Sequence, residues 1–242
     1  MEHTGMRVEQ LWRYPVKSLA GEALTQARVG HLGVEGDRSF GLVDLDTGLV
    51  LTARRVPELL FATPVSGGVG SDTPRIRLPD GTVTSDDAVL SAWLDRPVAL
   101  RSPGPGERGR YEVALNDDRP DGDWMSWEGP EGVFHDSTRT RVSIVSEDAL
   151  AGRDVRRFRP NIVVAGGDER DLMAGAVRIG HVELEVVKEI DRCVIVTRPQ
   201  PGLERDKDVL LHVHRTRGGN LGVGATVRAP GTIAIGDPVL LF

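Results

Sequence analysis

Val182-Glu183-Leu184-Glu185-Val186 alternates apolar and charged residues without a break. A side-chain period of two places the apolar residues on one face of a strand and both glutamates on the other. That is the pattern of a sheet wetted on one side, as in antiparallel sheets and barrels. Arg141-Val142-Ser143-Ile144-Val145 and Thr232-Ile233-Ala234-Ile235 alternate in the same way. Shorter β-branched runs lie at Gly41-Leu42-Val43-Asp44 and Arg75-Ile76-Arg77-Leu78. Pro79-Asp80-Gly81 follows the latter as a turn, because proline fixes φ and glycine accepts positive φ. With 29 glycines and 15 prolines as punctuation, the chain reads as mostly β.

Helices are expected to be few. Asp86-Asp87-Ala88-Val89-Leu90-Ser91-Ala92-Trp93-Leu94 is the best candidate, with acidic residues in its first turn and Pro97 just beyond its end. Ser146 is a candidate cap for a short second helix over residues 147–150. Residues 102–109 are rich in Pro and Gly and read as a loop. Residues 116–132 are polar, contain Trp124 and Trp127, and read as the connection between two halves, residues 1–120 and 121–242.

Seven residues beyond Val186 stands the sole cysteine, in Glu189-Ile190-Asp191-Arg192-Cys193-Val194-Ile195-Val196-Thr197. One cysteine cannot form an intramolecular disulfide. It is a small hydrophobe, a reactive thiol or a metal ligand, and the neighbouring Arg192 favours the thiolate. A single cysteine fits a reducing cytoplasm better than a stapled secreted domain. Residues 1–10 lack the apolar run of a signal peptide, and no segment approaches the roughly 20 apolar residues of a membrane span. The expected setting is therefore cytoplasmic, without membrane partners.

The 242 residues carry a formal net charge of −6, which argues against a nucleic-acid surface. An anionic ligand would need a local cluster of cations. Lysines are three, Lys17, Lys188 and Lys207, and the other 27 basic residues are arginines. Several familiar patterns fail. Gly104-Pro105-Gly106-Glu107-Arg108-Gly109 matches the dinucleotide glycine spacing but lacks the flanking strand and helix. His212 and His214 alternate in a strand-like run and could share a face, but nothing nearby completes a metal site, so surface histidines are the simpler reading. Asp86-Asp87 and Asp117-Asp118 are adjacent rather than facing, which suits a helix start and a polar loop.

Four segments share one theme, a cation or small polar group beside a turn or strand end. They are Tyr14-Pro15-Val16-Lys17-Ser18, Gly36-Asp37-Arg38-Ser39-Phe40, Arg157-Phe158-Arg159-Pro160-Asn161 and Arg192-Cys193. Together with a Thr52 to Leu59 element, Phe134-His135-Asp136 and a closing stretch from Gly231 to Asp237, their order and spacing resemble the MOSC family, named after the C-terminal part of molybdenum cofactor sulfurase. The resemblance implies a mostly β fold, a MOSC β-barrel with an N-terminal β-barrel-like domain, and binding of the molybdenum cofactor. It makes Cys193 the metal ligand and catalytic centre. Lys17, Ser18, Arg38, Asp136, Arg159, Asn161 and Arg192 become cofactor-binding candidates. Guanidinium forks suit a phosphate, and a thiolate suits a metal already held by sulfur.

One departure stands out. Where many relatives carry an acidic and aromatic stretch after Arg-Pro-Asn, this chain reads Gly166-Gly167-Asp168-Glu169-Arg170-Asp171-Leu172-Met173, with no aromatic residue. One cysteine also cannot hold a conventional iron–sulfur cluster, so electrons would come from a separate protein. The expected function is an oxidoreductase acting on a small N-hydroxylated substrate. The alternatives are a carrier that hands molybdenum cofactor, or sulfur bound to Cys193, to an accepting enzyme, and a ligand-binding barrel with a structural cysteine.

Overall fold

The computed structural model describes residues 2–66, 72–114 and 123–242. The boundary expected near residue 120 and the Asp117-Asp118 pair lie outside the described residues. Among the described residues the chain is mostly strand with three α-helices, as the alternation predicts.

Seven strands close into a barrel. Around it run Ile162–Ala165, Val142–Ser146, Asn220–Ala229, Val182–Asp191, Ala176–Ile179, Pro238–Leu241 and Glu2–Arg13, and the last pairs back onto the first. All pairs are antiparallel except Val142–Ser146 beside Ile162–Ala165. Val182, Leu184 and Val186 point inward, joining Val8, Leu11, Ile144, Val164, Val177 and Val223 in the barrel core. Each such side chain, fully buried, contributes about 1.5–3 kcal/mol of transfer free energy. The strand Glu2–Arg13 is separated by more than half the chain from both of its barrel partners, so the barrel cannot form from the C-terminal half alone.

A second core lies over residues 16–100, built from Val16, Leu19, Phe40, Leu42, Leu59, Ile76, Leu90 and Val98. Its sheets are small: Gly41–Asp44 pairs with Val98–Arg101, and Thr63–Ser66, Arg75–Arg77 and Val83–Thr84 form a three-stranded sheet. The helix Asp87–Leu94 packs Leu90 into this core. Asp86 caps it by accepting the Ala88 N–H at 2.7 Å. The short helix Glu147–Leu150 starts at Ser146, whose hydroxyl accepts the Ala149 N–H.

Two expectations need correction. Within the stretch read as a polar connection, the described residues hold a strand, Trp124–Glu131, paired with Arg108–Ala114, which also takes in Arg108 and Gly109 at the end of the expected loop. Its polar composition hid the pairing, which sets Trp127 opposite the fully buried Tyr111. His212 and His214 do not alternate on a strand. They sit on the α-helix Asp208–Arg217, where residues two apart point to different sides. Val209 and Val213, spaced by four, bury the helix's inner face, and Gly218 ends it at φ 63°.

Candidate cofactor site

A cavity of about 340 Å³ opens between the barrel and the second core. That size lies within the range of small-molecule sites. Lys17, Ser18, Arg38, Asp136, Arg159, Asn161, Arg192 and Cys193 all line it, drawn from five places in the sequence.

The first two segments are zipped together by backbone. Arg38 N donates to the Tyr14 carbonyl at 2.7 Å, Phe40 N to Pro15 at 3.1 Å, and Lys17 N to Phe40 at 2.8 Å. The Asp37 carboxylate, wholly buried, accepts the Tyr14 N–H at 2.8 Å and pairs with the Arg38 guanidinium. Tyr14 is 1% exposed, and its ring carries two cations: Arg159 at 4.3 Å and Arg38 at 4.9 Å from the centroid. Desolvated stacking of this kind is worth about 2 kcal/mol per cation. The ring thus lets two guanidiniums share one small volume.

Backbone conformation marks the same residues. Among the described residues, five non-glycine residues have positive φ: Ser18, Arg38, Asp95, Ala151 and Arg159. Asp95 and Ala151 end helices, where that conformation is ordinary. The other three line the cavity. Each costs of order 1 kcal/mol, and such strain clusters where a side chain must be aimed.

Lys17 is 3% exposed. Its ammonium donates to the Phe134 carbonyl at 3.0 Å and Asp136 at 2.7 Å, and lies 4.3 Å from the Tyr111 ring centre. Burial pulls its pKa below the usual lysine value despite the Asp136 charge. The Asp136 side chain is 72% exposed; desolvation at the cavity rim works against its charge, but Lys17 and Arg38 outweigh it and hold the carboxyl below the carboxylate range. Burial pushes Arg159 and Arg192 down to about 10, which leaves both charged at neutral pH.

Arg192 donates Nε to the Leu221 carbonyl and Nη1 to the Phe158 carbonyl, both at 2.7 Å. Its Nη2, like Nη2 of Arg159, is buried and lacks a partner among the described residues. Donors left unsatisfied in a cavity wall call for an acceptor, and an anionic group would supply one. Cys193 follows on the turn after Val182–Asp191, half-buried. Among the described residues no three His, Cys, Asp or Glu side chains gather to hold a metal. Two unpaired guanidinium donors, a buried ammonium and one thiol fit a phosphate-bearing, sulfur-ligated metal cofactor.

Ser18 and Asn161 contribute differently. The Ser18 hydroxyl accepts the Ala53 N–H at 3.0 Å. The Asn161 side-chain oxygen accepts both N–H and O–H of Ser143, at 3.1 and 3.0 Å, at the foot of the Arg159 turn. The sequence reading gave no role to His135, Tyr111 or Trp127. His135 is buried, its Nε2 4.0 Å from an Asp37 carboxylate oxygen but without a hydrogen bond among the described residues, and burial drops its pKa to about 4. Trp127 leans on Tyr111 with ring centres 4.7 Å apart and lines the cavity. None of residues 166–173 lines the cavity, while the strand Trp124–Glu131 places Trp127 in its wall. Only the Asp37–Arg38 and Phe134–Asp136 neighbours offered a signal for His135; nothing local pointed to Tyr111.

Comparison with known proteins bears on the family. Residues 5–88 match the MOSC N-terminal beta barrel domain and residues 135–240 the MOSC domain. The chain is 26% identical to the human mitochondrial amidoxime-reducing component 1, over 97% of this chain and 82% of that protein. It is 27% identical to molybdenum cofactor sulfurase of Drosophila grimshawi, over 96% of this chain but 34% of that protein, so it spans about a third of the sulfurase. Among solved structures, the YuaD protein from Bacillus subtilis is similar, with 13% identity, coverage of 97% and 93% of the two chains and a TM-score of 0.48. No helix among the described residues is long and apolar enough to cross a membrane. With both domains present in order, the chain belongs to the MOSC family.

Proposed function

We propose that this chain is a cytoplasmic molybdenum-cofactor protein that reduces small N-hydroxylated or related N–O substrates, with electrons from a separate reductase. The observation that carries the reading is the convergence of Lys17, Arg38, Arg159 and Arg192 on one cavity that also holds the sole cysteine. The named relative, an amidoxime-reducing component, supports the reaction class.

When bound, the cofactor would supply a two-electron redox centre. The chain's own residues would do the rest. Arg159 and Arg192 offer unpaired guanidinium donors to the cofactor's phosphate. Cys193 offers its thiolate to the metal. Lys17, shared between Asp136 and the Phe134 carbonyl, places a positive charge in the wall where an anion must be held. Trp127 gives the cavity a flat apolar wall against which a planar substrate can lie.

The test is molybdenum and pterin content of protein made in a cofactor-competent host, against Cys193→Ala. The wild type should carry both, and the variant should lose most of its molybdenum. Protein prepared without either would overturn the reading. The sulfurase relative favours a second reading, a carrier. Reduction of an amidoxime with an artificial electron donor supports the enzyme. Transfer of cofactor to an apo-enzyme without such turnover supports the carrier.

A further inference from the structure

Glu169 lies outside the cavity wall and is fully buried, 0% exposed. A carboxylate in that position must be paired and hydrogen-bonded to be tolerated. Oε2 accepts the N–H of Ser146 at 2.9 Å and its hydroxyl. Oε1 accepts the Gly222 N–H at 2.9 Å and pairs with Arg217.

The Gly222 bond is the informative one. Gly222 lies within the strand Asn220–Ala229 yet has φ 88°, and pairing with Val182–Asp191 slips at this level, between Glu189 and Asp191. Its N–H is thereby turned to Glu169. The carbonyl of the same peptide unit, that of Leu221, accepts Arg192 Nε at 2.7 Å. A trans peptide is planar and its N–H and C=O point in opposite directions. Glu169 and Arg192 therefore grip one peptide from its two sides, and rotating that peptide would break both bonds. A Cβ on Gly222 would also meet Arg192 Nη2 at 3.0 Å and the Ile144 carbonyl at 2.9 Å.

We propose that Glu169 is a positioning residue that fixes the Leu221–Gly222 peptide, through it the Arg192 guanidinium, and so the surroundings of Cys193. The link to cofactor binding rests on the function proposed above; the link from Glu169 to Arg192 does not.

The experiment compares Glu169→Gln, Arg192→Gln and the double variant. An amide in place of the carboxylate turns an NH₂ group toward N–H donors. Two quantities are read in protein whose folding is checked by thermal melting. One is molybdenum and pterin content. The other is the rate at which a small disulfide reagent modifies Cys193, the sole thiol, in cofactor-free protein. Each single variant should change the modification rate by roughly 10-fold, the scale of one charge-assisted hydrogen bond, in the same direction. The double should equal Arg192→Gln alone, because Glu169 acts through Arg192. Effects that multiply in the double overturn the proposal, as does a Glu169→Gln protein that melts earlier while its Cys193 reacts at the wild-type rate. If Glu169→Gln does not fold, Glu169→Asp, which keeps the charge but retracts it from Gly222, is measured in its place against the same outcomes. Wild type lacking molybdenum would refute the cofactor reading while the thiol rates still decide the positioning claim.

Discussion

Tyr14 shows how a single side chain organises the cavity. Its hydroxyl is buried without a partner among the described residues, while its ring faces carry Arg38 and Arg159. Tyr14→Phe keeps the faces and removes an unsatisfied hydroxyl, so denaturant unfolding should find its stability within about 0.5 kcal/mol of the parent. Tyr14→Leu loses both stackings and should cost about 2–4 kcal/mol, with cofactor retention falling in parallel. His135 gives a pH signature. Burial lowers its pKa from 6.5 to about 4, so between those values the folded chain binds fewer protons than the unfolded one. Its contribution is present above pH 6.5 and is lost as pH falls through about 4, amounting to about 3 kcal/mol. Melting temperatures from pH 4 to 7 should fall less steeply on acidification in His135→Gln than in the parent. Equal slopes would show that the imidazole is not held neutral.

Among the elements, legibility followed periodicity. Val182–Val186 alternates in sequence and in burial, because one face meets the core and the other meets water. The helix Asp87–Leu94 was legible from its start signal. Asp86→Ala removes the side chain that accepts the Ala88 N–H and should lower stability by about 1 kcal/mol, measured as a shift in denaturant midpoint. A variant with an unshifted midpoint would mean that the cap is redundant. The helix Asp208–Arg217 was misread because Leu211-His212-Val213-His214 mimics a period of two. Its true signal, Val209 and Val213 followed by Gly218-Gly219, is visible only over a longer window. The cavity residues were legible as short motifs. Their geometry was not, since nothing local reveals that Arg38 and Arg159 both stack on Tyr14 or that Trp127 lines the wall with Tyr111 packed against it. Such contacts depend on pairings made across the whole fold.

At the scale of the molecule, charge and topology matter most. A net charge of −6 coexists with a cationic cavity because the acidic residues lie mainly elsewhere on the surface, while the cavity gathers its cations from both cores. The strand Glu2–Arg13 joins the cores as well, serving as one stave of a barrel otherwise built from residues 142–241. A fragment beginning at residue 123 should therefore lack one stave and expose the edges of Ile162–Ala165 and Pro238–Leu241. Expressed alone it should aggregate or show poorly dispersed amide spectra, and adding a peptide of residues 1–14 should restore dispersion. A fragment that folds as a stable monomer would show that the stave is dispensable.

The same closure bears on how the chain is made. During synthesis residues 2–13 emerge before the other six barrel strands, and one of their partners, Pro238–Leu241, emerges after all of them. Residues 16–100 can condense on their own core in the meantime. The first strand can meet Glu22–Leu24 at once and Ile162–Ala165 later, but the rest of its other edge must wait for the last strand. The interval in which this protein is most open to chaperones, proteases and self-association thus runs from the synthesis of Glu2–Arg13 to that of Pro238–Leu241, and the cavity, which needs the closed barrel, can take a ligand only once those two strands have paired.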